Sequence, residues 1–303
     1  MPEAPRQRFT LADMIMAKIQ EKEQAAAMGG RKKEEGAVPG LNPKVIEVYS
    51  KVGTLLSRYK SGQVPKAFKI IPTLANWEEI LYITQPENWT PNAVYEATRV
   101  FVSNLKAKQC QTFYSLVVLD RVRDDIQTSK KLNYHLYMTL KKCLFKPAAF
   151  FKGILFPLCE SGTCTLREAV VIGSVLAKVS IPVLHSAAAL LRLAEMEYTG
   201  ANSLIIRILL DKKYALPYKV VDALIFHFIR FRNEKEQMPV LWFQSLVVFV
   251  QRYKQDLTPE QKESLMELSK HQVHHEITPE IRRELVNSTC RGEMLDENAM
   301  MID

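Results

Sequence analysis

PAAFFKGILFPLCESGTCTLREAVVIGSVLAKVSIPVLHSAAALLRLAEMEYTGANSLIIRILLDKKYALP, residues 147 to 217, is punctuated by prolines at Pro147, Pro182 and Pro217, 35 residues apart. Proline fixes φ near the helical value and has no amide hydrogen to lose at the first helical position, so each proline is placed to open a helix. After Pro182, Leu184, Ala187, Ala188, Leu191 and Ala194 follow the i, i+3, i+4, i+7 spacing of a buried helical stripe. Tyr198-Thr199-Gly200-Ala201-Asn202 then breaks the helix, and the apolar pattern resumes over residues 203–210. The preceding block has the same form. Its breaker is Glu160-Ser161-Gly162-Thr163, and Thr165 with Glu168 three residues on predicts a capping box for a helix carrying Leu166, Ala169, Val170, Gly173 and Ala177. A third block opens at Pro217, carries Val221, Leu224, Ile225 and Phe228, breaks over residues 232–237, and restarts after Pro239. Helix pairs repeated at a fixed period predict an all-α protein, an α-solenoid of stacked antiparallel pairs of the HEAT-like kind.

The flanking sequence is read the same way. Thr10 caps a predicted helix with Leu11, Met14, Ile15 and Ile19 on one stripe, and residues 28–40 form a glycine-rich charged linker whose Arg31-Lys32-Lys33 is a weak nuclear-import signal. Pro43 opens the next helix. Lys66 to Pro72 is predicted extended, Asn76 caps a short helix over residues 77–83, and residues 92–145 hold two or three long helices. Thr258-Pro259-Glu260-Gln261 and Thr278-Pro279-Glu280-Ile281 are two further helix starts. The organisation expected is a docking helix and linker over residues 1–40, a helical-repeat domain over 41–290 and an acidic flexible tail over 291–303.

Composition bounds the function. Of 303 residues, 47% are hydrophobic and 24% charged, ordinary for a chain that buries a core, and the net charge of +8 tilts the expectation toward an anionic partner. Five scattered cysteines make no disulfide framework, so a reducing compartment is expected. The apolar windows end at charge well short of the ~20 residues of a membrane span. Neither a phosphate-binding loop nor a dinucleotide turn occurs. Cys159 and Cys164 fit no common zinc spacing. His271 and His275 could share a helical face as metal ligands, but a polar helix end is the better account, and no metal is expected. Ser161 or Cys159 with His185 lacks the strand-to-helix elbow of a hydrolase nucleophile. No catalytic residue, cofactor or small-molecule substrate is expected.

The cations are more informative. Between Asp120 and Lys152, Arg121, Arg123, Lys130, Lys131, Lys141, Lys142, Lys146 and Lys152 face only three carboxylates and are interleaved with Tyr134, Tyr137, Phe145, Phe150 and Phe151. That mixture suits phosphate contacts combined with base stacking, although aromatics at helical spacing also serve as core. Lys212 and Lys213, at a later helix end, complete the candidate RNA-binding set. Asp124 and Asp125 could hold Arg121 or Arg123 in a local ion pair.

Several stretches carry a resemblance: Pro65-Lys66-Ala67-Phe68-Lys69-Ile70-Ile71-Pro72, Arg121-Val122-Arg123-Asp124-Asp125, Leu158-Cys159-Glu160-Ser161-Gly162-Thr163-Cys164, Ser180-Ile181-Pro182-Val183-Leu184-His185-Ser186, Ala194-Glu195-Met196-Glu197-Tyr198 and Leu210-Asp211-Lys212-Lys213-Tyr214. Over roughly residues 10–285 the chain resembles the bystin family of eukaryotic ribosome-assembly factors. The resemblance implies a non-enzymatic scaffold of the precursor small ribosomal subunit, needed for small-subunit rRNA processing. Its expected partners are small-subunit ribosomal RNA, ribosomal proteins and assembly factors near the beak, with no membrane. Its expected location is the nucleolus and nucleus, shuttling to the cytoplasm with the particle. Family members carry a long charged N-terminal extension that this chain is expected to lack. The alternative role is an adaptor in a cytoplasmic cell-adhesion complex.

Overall fold

The computed structural model describes residues 42–292, so the predicted Thr10 helix, the 28–40 linker and nearly all of the 291–303 tail lie outside it. Among the described residues the regular structure is helical throughout, without a strand. The chain forms two compact units that meet between Ser161 and Gly162 in sequence.

The first unit opens with α1 (Pro43–Leu56), α2 (Lys66–Ile70) and α3 (Trp77–Ile83). The stretch expected to be extended is α2 followed by a 3-10 turn over Ile71–Thr73. Tertiary packing overrides the local preference here. The helical turn puts Phe68 and Ile71 fully inside, with the Phe68 ring edge-on to Trp89 at 5.4 Å and beside Phe101 at 5.6 Å. Asn76 stands at the head of α3, but its side chain makes no capping bond.

Three long helical segments follow, as expected. The first is α4 (Pro91–Asn104), capped by Thr90. The second is α5 (Ala107–Phe113) running through a π turn (Tyr114–Val118) into α6 (Leu119–Ser129). The third is α7 (Tyr134–Cys143), which packs against α4. The unit closes with α8 (Pro147–Phe150), a second π turn (Phe151–Leu155) and α9 (Phe156–Glu160). A π turn widens the backbone ladder by one residue, and this second one precedes Pro157, which has no N–H to offer the ladder. Gly153 lies where the two π-bearing segments touch. A Cβ there would sit 2.7 Å from the Gln111 carbonyl oxygen and 3.2 Å from Tyr114 Cβ, so only glycine permits the approach.

The second unit contains α10 (Leu166–Lys178), α11 (Val183–Glu195), α12 (Gly200–Leu210), α13 (Tyr218–Ile229), α14 (Val240–Tyr253), α15 (Pro259–His271) and α16 (Ile277–Val286). Most pack chiefly on the next but one: α10 on α12, α12 on α14, α14 on α16, and alongside them α11 on α13, while α15 packs on both α13 and α16. Side-chain ties follow the same step. Arg230 donates to the Met196 carbonyl 34 residues earlier, Arg232 pairs with Glu267 35 residues on, and Ser203 bonds the Leu241 carbonyl 38 residues on.

The capping boxes at Thr165 with Glu168 and Thr258 with Gln261 are present. Pro147 is the first residue of its helix, while Pro182 and Pro217 stand one residue before theirs. Two expectations are corrected. Gly200 is not in the turn but begins α12, because Thr199 accepts the Asn202 N–H and starts the helix earlier. Thr278 does not cap α16, which begins at Ile277; its hydroxyl accepts the His274 N–H instead. Gly162, with φ of 66°, does occupy the inter-helix turn.

Candidate nucleic-acid interface

The basic window is built on α6, α7 and the turn between them. The Asp125 carboxylate accepts the Asn133 N–H at 2.7 Å, and Asn133 in turn accepts the His135 N–H to cap α7. Lys130 closes α6 in the left-handed conformation, φ 59°, and Lys131 follows it, both exposed. α7 then buries Leu136, Thr139, Leu140 and Cys143. Helical geometry therefore turns Tyr134, Met138, Lys141 and Lys142 the other way.

At the two ends of this outer face stand two aromatic rings in solvent, Tyr134 at 69% exposure and Phe145 at 68%. The Lys142 ammonium lies 4.6 Å from the Phe145 ring centroid. At the other end Tyr134 meets His135 edge-on at 5.5 Å, His135 meets Tyr95 of α4 at 6.4 Å, and the Arg99 guanidinium covers Tyr95 at 5.9 Å. Tyr95, Arg99 and His135 were not in the expected set. No linear signal links α4 to Tyr134, because only the packing of α4 on α7 brings them together. One signal in the sequence does mark the region: from Ile126 to Cys159 there is no aspartate or glutamate, while six lysines occur.

The expected cations divide by what they touch. Lys141 and Lys142 lie on the outer face, Lys152 is exposed in the second π turn, and Lys213 is exposed in the left-handed conformation, φ 57°. Lys146 instead turns inward, donating to the Leu105 carbonyl at the end of α4. Lys212 does the same at the end of α10, donating to the Ala177 carbonyl at 3.1 Å and the Val179 carbonyl at 2.8 Å. An ammonium at a helix C-terminus satisfies carbonyls that the helix itself leaves open and complements its dipole. Arg121 is half-buried on α6, its Nε enclosed and unbonded, and Arg123 is half-buried beside it. Among the aromatics, Phe150 and Phe151 belong to the core.

The cysteines and histidines that could have carried other chemistry are placed as well. Cys110 and Cys143 are buried near Tyr114, whose hydroxyl donates to the Cys143 carbonyl at 3.1 Å. Burial raises both thiols above their usual range, so neither is held as the reactive thiolate. His274 Nδ1 accepts the N–H groups of Glu276 and Ile277 at the start of α16, and the His271–His275 pair assembles no metal cluster: among the described residues no group of three or more potential ligands does so. No helix among them is long and apolar enough to cross a membrane.

The described residues form an all-helical protein that presents a lysine- and aromatic-bearing helix face to solvent. A family model for bystin matches residues 5–295 of the chain. The sequence is 59% identical to human bystin over 96% of this chain and 67% of that protein, and 56% identical to the Drosophila melanogaster bystin over 94% of this chain. An uncharacterized protein of Schizosaccharomyces pombe is 62% identical over 94% of this chain and 64% of its own length. The chain belongs to the bystin family, and it spans about two thirds of the length of these relatives. That family is not known as a family of enzymes.

Proposed function

We propose that the chain is a non-enzymatic scaffold of the precursor small ribosomal subunit, needed for rRNA processing and maturation there. In this reading the alternate packing of helices in the second unit is a HEAT-like repeat array, whose extended surfaces suit large partners. Ribosomal RNA binds through the lysine-bearing outer face of α7, and ribosomal proteins and assembly factors near the beak bind elsewhere on the helices. The protein works in the nucleolus and nucleus and leaves for the cytoplasm with the particle. The observation that carries the RNA contact is the outer face of α7, where Lys141 and Lys142 lie between two exposed rings with no carboxylate on the helix. Within the first unit Lys130, Lys131 and Lys152 add to the proposed RNA-binding set with Arg121 and Arg123, and Lys146 caps a helix end. In the second unit Lys213 is exposed and Lys212 caps a helix end.

The test is co-sedimentation of the chain with purified small-subunit precursors at low and high salt. Binding that weakens as salt rises, and that weakens further when Lys141, Lys142 and Lys152 are changed to glutamine, is the expected result. A chain that never migrates with the particle, or that binds it with no salt dependence, would overturn the RNA reading.

A further inference from the structure

The outer face of α7 carries more than charge. Two aromatic side chains more than two-thirds exposed, Tyr134 opening α7 and Phe145 in the turn just past its end, leave a large apolar area in water, and the lysines between them attract an anion. Tyr134 is the first residue of α7 and Phe145 the second residue after its last, Cys143, with Met138, Lys141 and Lys142 on the helix between them. Each ring already has a flanking polar group that orients it: His135 edge-on to Tyr134, and the Lys142 ammonium beside Phe145.

A paired RNA helix cannot use such rings. Its bases are stacked on each other, and it offers a protein only phosphates, 2′-hydroxyls and a shallow groove. An unpaired strand offers base faces as well as phosphates, the two things this face is equipped to take. A protein partner would use the lysines only through acidic side chains placed to meet them, whereas an RNA strand carries a phosphate at every nucleotide alongside the bases that cover the rings. Resting on the RNA contact proposed above, we infer that the α7 face selects an unpaired stretch of RNA, its bases stacking on Tyr134 and Phe145 while Lys141 and Lys142 bind the intervening phosphates.

The experiment compares the full chain with its Tyr134→Ala, Phe145→Ala and Lys141→Gln/Lys142→Gln variants. Binding is titrated by fluorescence anisotropy against a labelled unstructured 12-nucleotide RNA and a 12-base-pair duplex across a salt series, with circular dichroism confirming the helical fold of each variant. The expected result is preference for the single strand. Each aromatic change should weaken that binding about 5- to 150-fold with the salt slope unaltered. The lysine pair should lower the slope by about 1.4. If the lysine change weakens binding while both aromatic changes leave it as in the parent, or if the duplex binds equally well, the RNA contact stands and the stacking inference is overturned. If no variant alters RNA binding, both fall. Loss of a ribosomal protein on Tyr134→Ala, with RNA binding intact, would reassign the face to a protein.

Discussion

Lys212 reaches back 33 residues to bond the carbonyl of Val179, the residue that ends α10, at 2.8 Å. A lysine that reads as a surface cation in the sequence therefore ties one helix end to the next. Lys146 plays the same part for Leu105 in the first unit. Changing Lys212 to Met removes a charge-assisted bond to two carbonyls and should lower stability by about 1–3 kcal/mol in chemical denaturation, while Lys213→Gln should leave it nearly unchanged. Equal effects at the two positions would show that the bond contributes nothing.

His227 gives the fold a pH dependence. It is buried on α13, donates through Nδ1 to the Ala194 carbonyl at 3.0 Å in the tautomer that satisfies that oxygen, and has an enclosed Nε2 without a bonding partner. Burial first, and then the neighbouring Arg230 charge, lowers its pKa from 6.5 to about 4. The unfolded chain thus takes up the proton before the folded one does. The stability associated with neutral His227 is complete above pH 6.5 and is lost as pH falls toward 4, by roughly 3 kcal/mol over that interval. Denaturation series at pH 7 and pH 4.5 should show this loss shrink in a His227→Asn variant.

Gly153 tests the contact between the two π-bearing segments. With the Gln111 carbonyl 2.7 Å from where a Cβ would stand, Gly153→Ala must push backbone against backbone. It should cost about 1–3 kcal/mol. A melting temperature equal to that of the parent would mean that the segments part without penalty.

The capping box of α10 makes a smaller, local prediction. Glu168 is almost fully buried and accepts both the Thr165 N–H and the Thr165 hydroxyl at 2.8 Å. Thr165→Ala should lower stability by about 1 kcal/mol, with Thr165→Ser recovering most of it, since serine restores the hydroxyl.

Where a signal is local, the sequence carried it. The Thr165 box, the helix start at Thr258 and the restart of the helix at Val240 rest on backbone groups a few residues apart, and they appear as read, while the prolines at 35-residue spacing fall at or one residue before the helix starts they mark. The lysine-rich window was legible because charge and ring type are properties of single residues. What contacts across tens of residues settle was not legible. Lys66 to Ile70 coils because Phe68 finds Trp89 and Phe101, and Lys146 and Lys212 leave the surface because open helix ends lie within their reach. Tyr95, Arg99 and His135 join Tyr134 because α4 packs on α7. Hydrophobic periodicity tells a residue which side of its own helix it occupies. Which carbonyl or ring it meets across the gap depends on the packing of whole helices, and that information is spread over both partners at once.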